Sequence, residues 1–211
     1  MKRDAALKVI ARHAGDSLVV AAYQAAFEWI VIRPSDCNLI ATGAMGQASS
    51  HGLGLAIGRP DRKVLVLDGD GSLLMNLGSL VTIAEAAPAN FFHFVCNNGV
   101  YEANGSHPTP GSDTVDFPGL ALAAGYGSAD AFDNLPDLES RIGDVLGGQG
   151  PSLIDLRVEQ GEAYPQDYAY MHGAEHRAAF KAALRASGTG TAASDGAHGS
   201  RQPPRGRATT R

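Results

Sequence analysis

Short apolar runs alternate along the chain with longer stretches in which apolar residues recur every three or four positions. Val64-Leu65-Val66-Leu67 is broken by no polar residue, the pattern of a strand covered on both faces in a parallel sheet. Runs at 18–20, 38–41, 90–96 and 152–158 predict further strands. Residues 4–13 place Leu7, Ile10 and Ala11 on one face and Lys8 and Arg12 elsewhere, which predicts an amphipathic helix that Gly15 stops. Further helices are predicted at 25–32, 47–57, 72–87, 117–124, 135–146 and 174–185. Strands alternating with helices imply an α/β fold, a doubly wound parallel sheet with helices on both faces. No internal repeat is visible.

Composition narrows the class. A chain of 211 residues fits one domain, here residues 1–186, followed by a tail. Residues 187–211 contain no Leu, Ile, Val, Met or aromatic residue, so this Gly-, Ser-, Thr- and Arg-rich segment has too little apolar area to offset the entropy of ordering it. A disordered tail is expected. It carries Arg201, Arg205, Arg207 and Arg211 against Asp195, so the net charge of -5 becomes -8 on the remainder. That balance argues against nucleic acid as a partner. No apolar stretch reaches the roughly 18 residues of a membrane span, and the start of the chain runs into a helical pattern in place of a signal-peptide core. Cys37 and Cys96 alone offer neither a disulfide framework nor a CxxC metal knuckle. A cytoplasmic domain is expected.

Two predicted strand ends carry polar residues flanked by glycine: Gly69-Asp70-Gly71 and Asn97-Asn98-Gly99. Ligands of doubly wound sheets bind at the carboxyl ends of strands. The intervening residues 72–96 make one helix and one strand, which sets the two turns on neighbouring strands at one edge. A carboxylate beside a carboxamide oxygen suits a hard cation, and Mg²⁺ is usually held by one or two protein oxygens plus phosphates. The glycines and the start of a helix at Ser72 would accept an anion. The pattern points to a Mg²⁺–diphosphate anchor. Either turn alone is an ordinary tight turn.

The pair of motifs resembles the fingerprint of thiamine-diphosphate enzymes. Gly43-Ala44-Met45-Gly46-Gln47-Ala48-Ser49-Ser50, Asp68-Gly69-Asp70-Gly71-Ser72-Leu73-Leu74-Met75 and Asn97-Asn98-Gly99-Val100-Tyr101 are similar to the cofactor-binding half of sulfopyruvate and phosphonopyruvate decarboxylases. The resemblance implies that Asp70, the Asn98 side chain and the Val100 carbonyl ligate Mg²⁺. It further implies that Gly71 and Ser72 meet the diphosphate, with Gly69 and Tyr101 also at the cofactor. The Gly43 carbonyl would accept a hydrogen bond from the aminopyrimidine, Ala44 would also lie at the cofactor, and Met45 would be the apolar wedge that bends it. Among the loop residues after the metal turn, Glu102 and His107 are of types that do acid–base work. The alternative for them is a solvated loop. Asp68, His93 and Cys96 read as structural, and His51 as a packed or interface histidine.

The resemblance implies a partner as well. In the family an activating glutamate belongs to a pyrimidine-binding domain, which in two-subunit members is a separate alpha subunit. The expected assembly is therefore a hetero-oligomer such as α2β2 acting on a small 2-oxo acid, with 3-sulfopyruvate and 3-phosphonopyruvate as candidates. One departure stands out: after the first strand the family often carries Gly and Ser-Arg-Glu, where this chain has Ala21-Ala22-Tyr23-Gln24-Ala25-Ala26-Phe27-Glu28. Competing readings are a non-catalytic structural subunit, a carboligase, and the small subunit of a 2-oxoacid oxidoreductase.

Overall fold

The apolar runs assemble into one six-stranded parallel sheet of order β2-β1-β3-β4-β8-β7. The structure, a computed structural model, describes residues 1–41 and 45–186; the expected disordered tail lies outside the described residues. The strands are β1 (Leu18–Ala22), β2 (Asn38–Ala41), β3 (Val64–Gly69), β4 (Phe91–Asn97), β7 (Ser128–Phe132) and β8 (Ser152–Arg157). A separate hairpin pairs β5 (Val100–Tyr101) with β6 (His107–Pro108). β1, β3, β4 and β8 are buried along nearly their whole length, which is why their sequences are almost unbroken in apolar character.

Helices cover both faces, as the alternation predicts. On one face lie α1 (Arg3–His13), α2 (Tyr23–Ile32) and α7 (Leu135–Gly147), packed through Leu7, Ile10, Trp29 and Ile142 against Leu65, Leu67, Phe92 and Phe94. On the other lie α3 (Ala48–Gly58), α4 (Asp70–Leu74), α5 (Gly78–Ala86), α6 (Phe117–Ala124) and α9 (Ala174–Arg185), with Leu73, Leu80, Ile83 and Phe180 against Val64, Val66, Phe91 and Val95. Local chemistry fixes several boundaries. Asp116 accepts from Gly119 N–H at 3.0 Å and starts α6, and Asn134 accepts from Asp137 N–H at 3.0 Å and starts α7.

Three differences from the sequence reading matter. The single helix expected at 72–87 is two, because Met75 and Asn76 turn tightly, donating their N–H groups to Ser72 and Leu73 three residues back. β7 was not anticipated: its Ser-Ala-Asp-Ala-Phe sequence sits at the sheet edge and buries only Phe132. The short helix α8 (Tyr168–His172), which tucks Met171 against the sheet's first face, was also missed. Its sequence is dominated by half-buried and exposed positions.

Candidate active site at the carboxyl end of the sheet

From β1 the chain moves outward to β2 and then returns to β3 on the other side of β1, so the loops leaving β1 and β3 diverge. Such a switch point opens a crevice at the carboxyl ends of the strands. A pocket lies there. It is lined by Ala22 and Tyr23 after β1, Asp68 to Ser72 at the end of β3, Cys96 and Asn98 at the end of β4, and the segment Val100–Asn104, with Arg3 and Met45 completing it. The register sets Gly69 beside Cys96 on adjacent parallel strands, so the two motifs meet as their spacing predicts.

Asp70 is the buried carboxylate of this pocket, 3% exposed. Its Oδ2 accepts from Gly99 N–H at 2.9 Å and faces the Thr109 hydroxyl at 3.4 Å. Burial pushes its pKa above the usual carboxylate range, against the pull of these hydrogen bonds, and it pairs with no cationic side chain among the described residues. A buried carboxylate without a counter-charge is costly, and a bound cation would relieve that cost. Asn98 stands on the neighbouring turn: its Oδ1 accepts from Val100 N–H at 3.1 Å and its Nδ2 donates to Glu102 Oε2 at 3.0 Å. One carboxylate, one carboxamide oxygen and nearby backbone carbonyls form an all-oxygen, singly charged donor set, which fits Mg²⁺ and its remaining phosphate ligands. Clusters of three His, Cys, Asp or Glu side chains able to hold a metal are absent among the described residues.

The loop before α3 is tied to this floor. Gly46 N–H donates to Ser72 Oγ at 2.8 Å, and Asn76 Nδ2 donates to the Gly46 carbonyl at 2.8 Å. Gly46 has φ +83, and a Cβ there would come within 3.0 Å of Asn76 Cβ, so glycine is required on both counts. Met45, next in the chain, is half-buried and lines the pocket. Gly71 has another reason: a Cβ would meet the Tyr101 ring at 2.5 Å, so the glycine lets Tyr101 lie over α4. Gly43 and Ala44 lie outside the described residues.

Glu102 and His107, the two acid–base candidates, have different fates. His107 is exposed on the β5–β6 hairpin and does not line the pocket. Glu102 lines it but is held in an ion pair, with Arg3 Nη1 2.5 Å from Oε2. Arg3 itself is buried and also pairs with Glu28, at 3.0 Å from Nε and 2.7 Å from Nη2. Neither Arg3 nor Glu28 was singled out from the sequence, and no local signal marks them: the three residues come from α1, α2 and the short 3-10 helix after β5. Asp68 and His93, read from the sequence as structural, are both fully buried, with Asp68 Oδ2 3.4 Å from His93 Nε2 and Tyr126 Oη 3.5 Å from Nδ1. Cys96 is buried beneath the pocket. His51 is exposed on α3 among the described residues.

A second, larger cleft of about 490 Å³ adjoins the pocket. Tyr23, Gln24, Met45 and Glu102 line both, and Tyr168 and His172 of α8 form the far wall. Tyr23 has φ +49, a left-handed conformation unfavourable for an aromatic residue, at the junction of β1 and α2 where both spaces meet.

Residues 20–156 match the family profile described as "Thiamine pyrophosphate enzyme, C-terminal TPP binding domain". The chain belongs to the thiamine pyrophosphate enzyme family. Thiamine pyrophosphate is thiamine diphosphate, and the matched unit is the domain that binds it. Among relatives in this family, the phosphonopyruvate decarboxylase of Streptomyces hygroscopicus is 44% identical over 126 residues, 60% of this chain and 31% of that protein. The sulfopyruvate decarboxylase subunit beta of Methanothermobacter thermautotrophicus is 39% identical over 132 residues, 63% of this chain and 68% of that subunit. Acetolactate synthase isozyme 1 large subunit of Escherichia coli is 30% identical over 132 residues, covering 24% of its length. The chain thus spans about a third of the phosphonopyruvate decarboxylase and about two thirds of the beta subunit. As elsewhere in the described residues, no helix of this domain is long and apolar enough to cross a membrane.

Proposed function

We propose that this chain is the cofactor-binding subunit of a two-subunit, thiamine-diphosphate- and Mg²⁺-dependent decarboxylase of a 2-oxo acid, with 3-phosphonopyruvate or 3-sulfopyruvate as the substrate class. The observation that carries the reading is the buried Asp70 carboxylate, which has no cationic partner among the described residues and is set beside the Asn98 amide at a sheet switch point. Relatives named decarboxylases of these two acids, one of them as a subunit beta, support the substrate class and the division into subunits.

In this reading Asp70, Asn98 Oδ1 and the Val100 carbonyl hold Mg²⁺. Gly69, Gly71 and Ser72 border the diphosphate, and Gly43 and Ala44 the aminopyrimidine. Bound thiamine diphosphate supplies the nucleophilic carbon and the electron sink for breaking the bond between C1 and C2 of the acid. The chain's own residues bind, orient and shield. Met45 is fixed through the Gly46–Ser72 and Gly46–Asn76 hydrogen bonds and acts as the wedge between the anchor and the adjoining cleft. Tyr23, Gln24 and the α8 wall bound the space where the acid sits, and exclude water from its carboxylate as it leaves. The activating glutamate comes from the pyrimidine-binding alpha subunit. Glu102, which shares Arg3 with Glu28, holds the metal turn in place of acting as an acid or base. The assembly is a hetero-oligomer of the α2β2 type in the cytoplasm.

The test is CO2 release by the native assembly, purified with thiamine diphosphate and Mg²⁺, from both acids and from pyruvate. Release from one of the first two, lost at least a hundredfold in Asp70→Asn, is the expected result. Retained cofactor with no CO2 release from any 2-oxo acid would overturn the decarboxylase assignment. Acetolactate formed from pyruvate would replace it with a carboligase.

A further inference from the structure

A carboxamide presents oxygen at one end and two N–H donors at the other, and a half-turn about its last bond exchanges them. Only its neighbours choose which end meets a cation. For Asn98 the choice is made on both sides: Oδ1 accepts from Val100 N–H at 3.1 Å, and Nδ2 donates to Glu102 Oε2 at 3.0 Å. The second contact is the stronger because the acceptor is ionised. Its acceptor is nevertheless mounted on weak support. Glu102 opens a three-residue 3-10 helix whose other members, Ala103 and Asn104, are exposed.

What holds Glu102 is Arg3. Its Nη1 lies 2.5 Å from Oε2 and its Nη2 3.3 Å from Oε1, while Nε and Nη2 also grip Glu28 Oε1 on α2. Arg3 is 4% exposed and its guanidinium is rigid, planar and permanently charged, so one side chain ties α1, α2 and the metal turn together at a fixed spacing. Burial opposes its charge, but the hydrogen bonds to Glu102 and Glu28 outweigh that and raise its pKa. Glu28 carries the cost: burial raises its pKa despite Arg3, and its Oε2 has no hydrogen-bond partner among the described residues. Arg3 and α1 lie outside the matched family region, which begins at residue 20.

We infer that Arg3 is a positioning residue for the metal site, holding Glu102 so that its carboxylate takes the Asn98 amide N–H and leaves Oδ1 turned toward the cation. The inference rests on the Mg²⁺-anchor reading of Asp70 and Asn98. It assigns to Glu102 an orienting role in place of an acid–base one. Groups that orient metal ligands typically contribute about 10–100-fold to metal affinity.

The experiment is Mn²⁺ titration of the native assembly with thiamine diphosphate, read by the electron paramagnetic resonance of free Mn²⁺. Glu102→Leu, which leaves Arg3 paired with Glu28, and Arg3→Lys, which keeps the charge but not the fork, should each weaken Mn²⁺ binding about tenfold or more. In an Asn98→Asp background either oxygen serves, so the Glu102→Leu loss should vanish. Should Arg3→Lys fail to fold, the Glu102→Leu pair decides alone. Affinity within twofold of the parent in Glu102→Leu, or a loss that persists with Asn98→Asp, would overturn the inference. Asp70→Asn is the separate control: if it loses Mn²⁺ while Glu102→Leu does not, the anchor stands and the Arg3 role falls. If Asp70→Asn binds like the parent, the anchor itself is misplaced and the inference falls with it.

Discussion

At Asp70 and Cys96 the same burial has opposite uses. The Asp70 carboxylate is desolvated in a way that a cation would relieve, and its hydrogen bonds from Gly99 and Thr109 keep one oxygen fixed. The Cys96 thiol, in the strand beneath it, is pushed up to about 12 by burial, with Arg3 opposing. Thiolate is the reactive form, so Cys96 should be inert at neutral pH. Titration with a thiol reagent at pH 8 should modify only Cys37, which is half-buried, and count two thiols after denaturation. Two fast-reacting thiols in the native chain would contradict the burial of the pocket floor. Asp70, Asn98 and the turns that carry them were legible in the sequence because Gly flanks a polar residue at the end of an apolar run. Arg3 and Glu28 were not: a charged residue in a helix looks solvated until the fold brings a partner to it.

The helix expected at 72–87 teaches the same point for elements. Periodicity reads Met75, Asn76 and Leu77 as ordinary helical positions, yet the chain breaks there, and Asn76 turns its side chain to the Gly46 carbonyl. The interruption gives the loop around Met45 a second anchor beside Ser72. Each of these hydrogen bonds is worth about 1 kcal/mol net. Ser72→Ala or Asn76→Ala should therefore speed hydrogen exchange at Gly46 roughly fivefold and, in the proposed reading, raise KM more than it lowers kcat, because the proposed Met45 wedge loosens while Asp70 and Asn98 stay in place. Unchanged exchange at Gly46 would deny the anchoring. The edge strand β7 was missed for a related reason, since one buried residue in five leaves no alternation to detect.

Over the whole molecule, the site is assembled from the ends of β1, β3 and β4, the loop before α3 and the amino end of α1. A ligand that bridges them should stabilise the native state. At a hundredfold excess over its dissociation constant the gain is about 2.7 kcal/mol. For a domain of this size that corresponds to a rise in Tm of roughly 5–11 °C. Thermal melts of the native assembly should show that rise with thiamine diphosphate and Mg²⁺ together, and lose it on chelation. A melt indifferent to both would remove the cofactor site from this chain and favour the structural-subunit reading.

The alternation of strands and helices, the parallel sheet and the pairing of the Asp70 and Asn98 turns could all be read from the chain alone. Each is written in neighbouring residues: apolar runs fix which strands are covered, and one helix plus one strand fixes which turns adjoin. The Arg3–Glu28–Glu102 clamp, the break after Leu74, the second wall from α8 and the strained Tyr23 could not be read that way. They depend on residues far apart in sequence meeting in a desolvated space, where a charge is tolerated only if the fold delivers its partner.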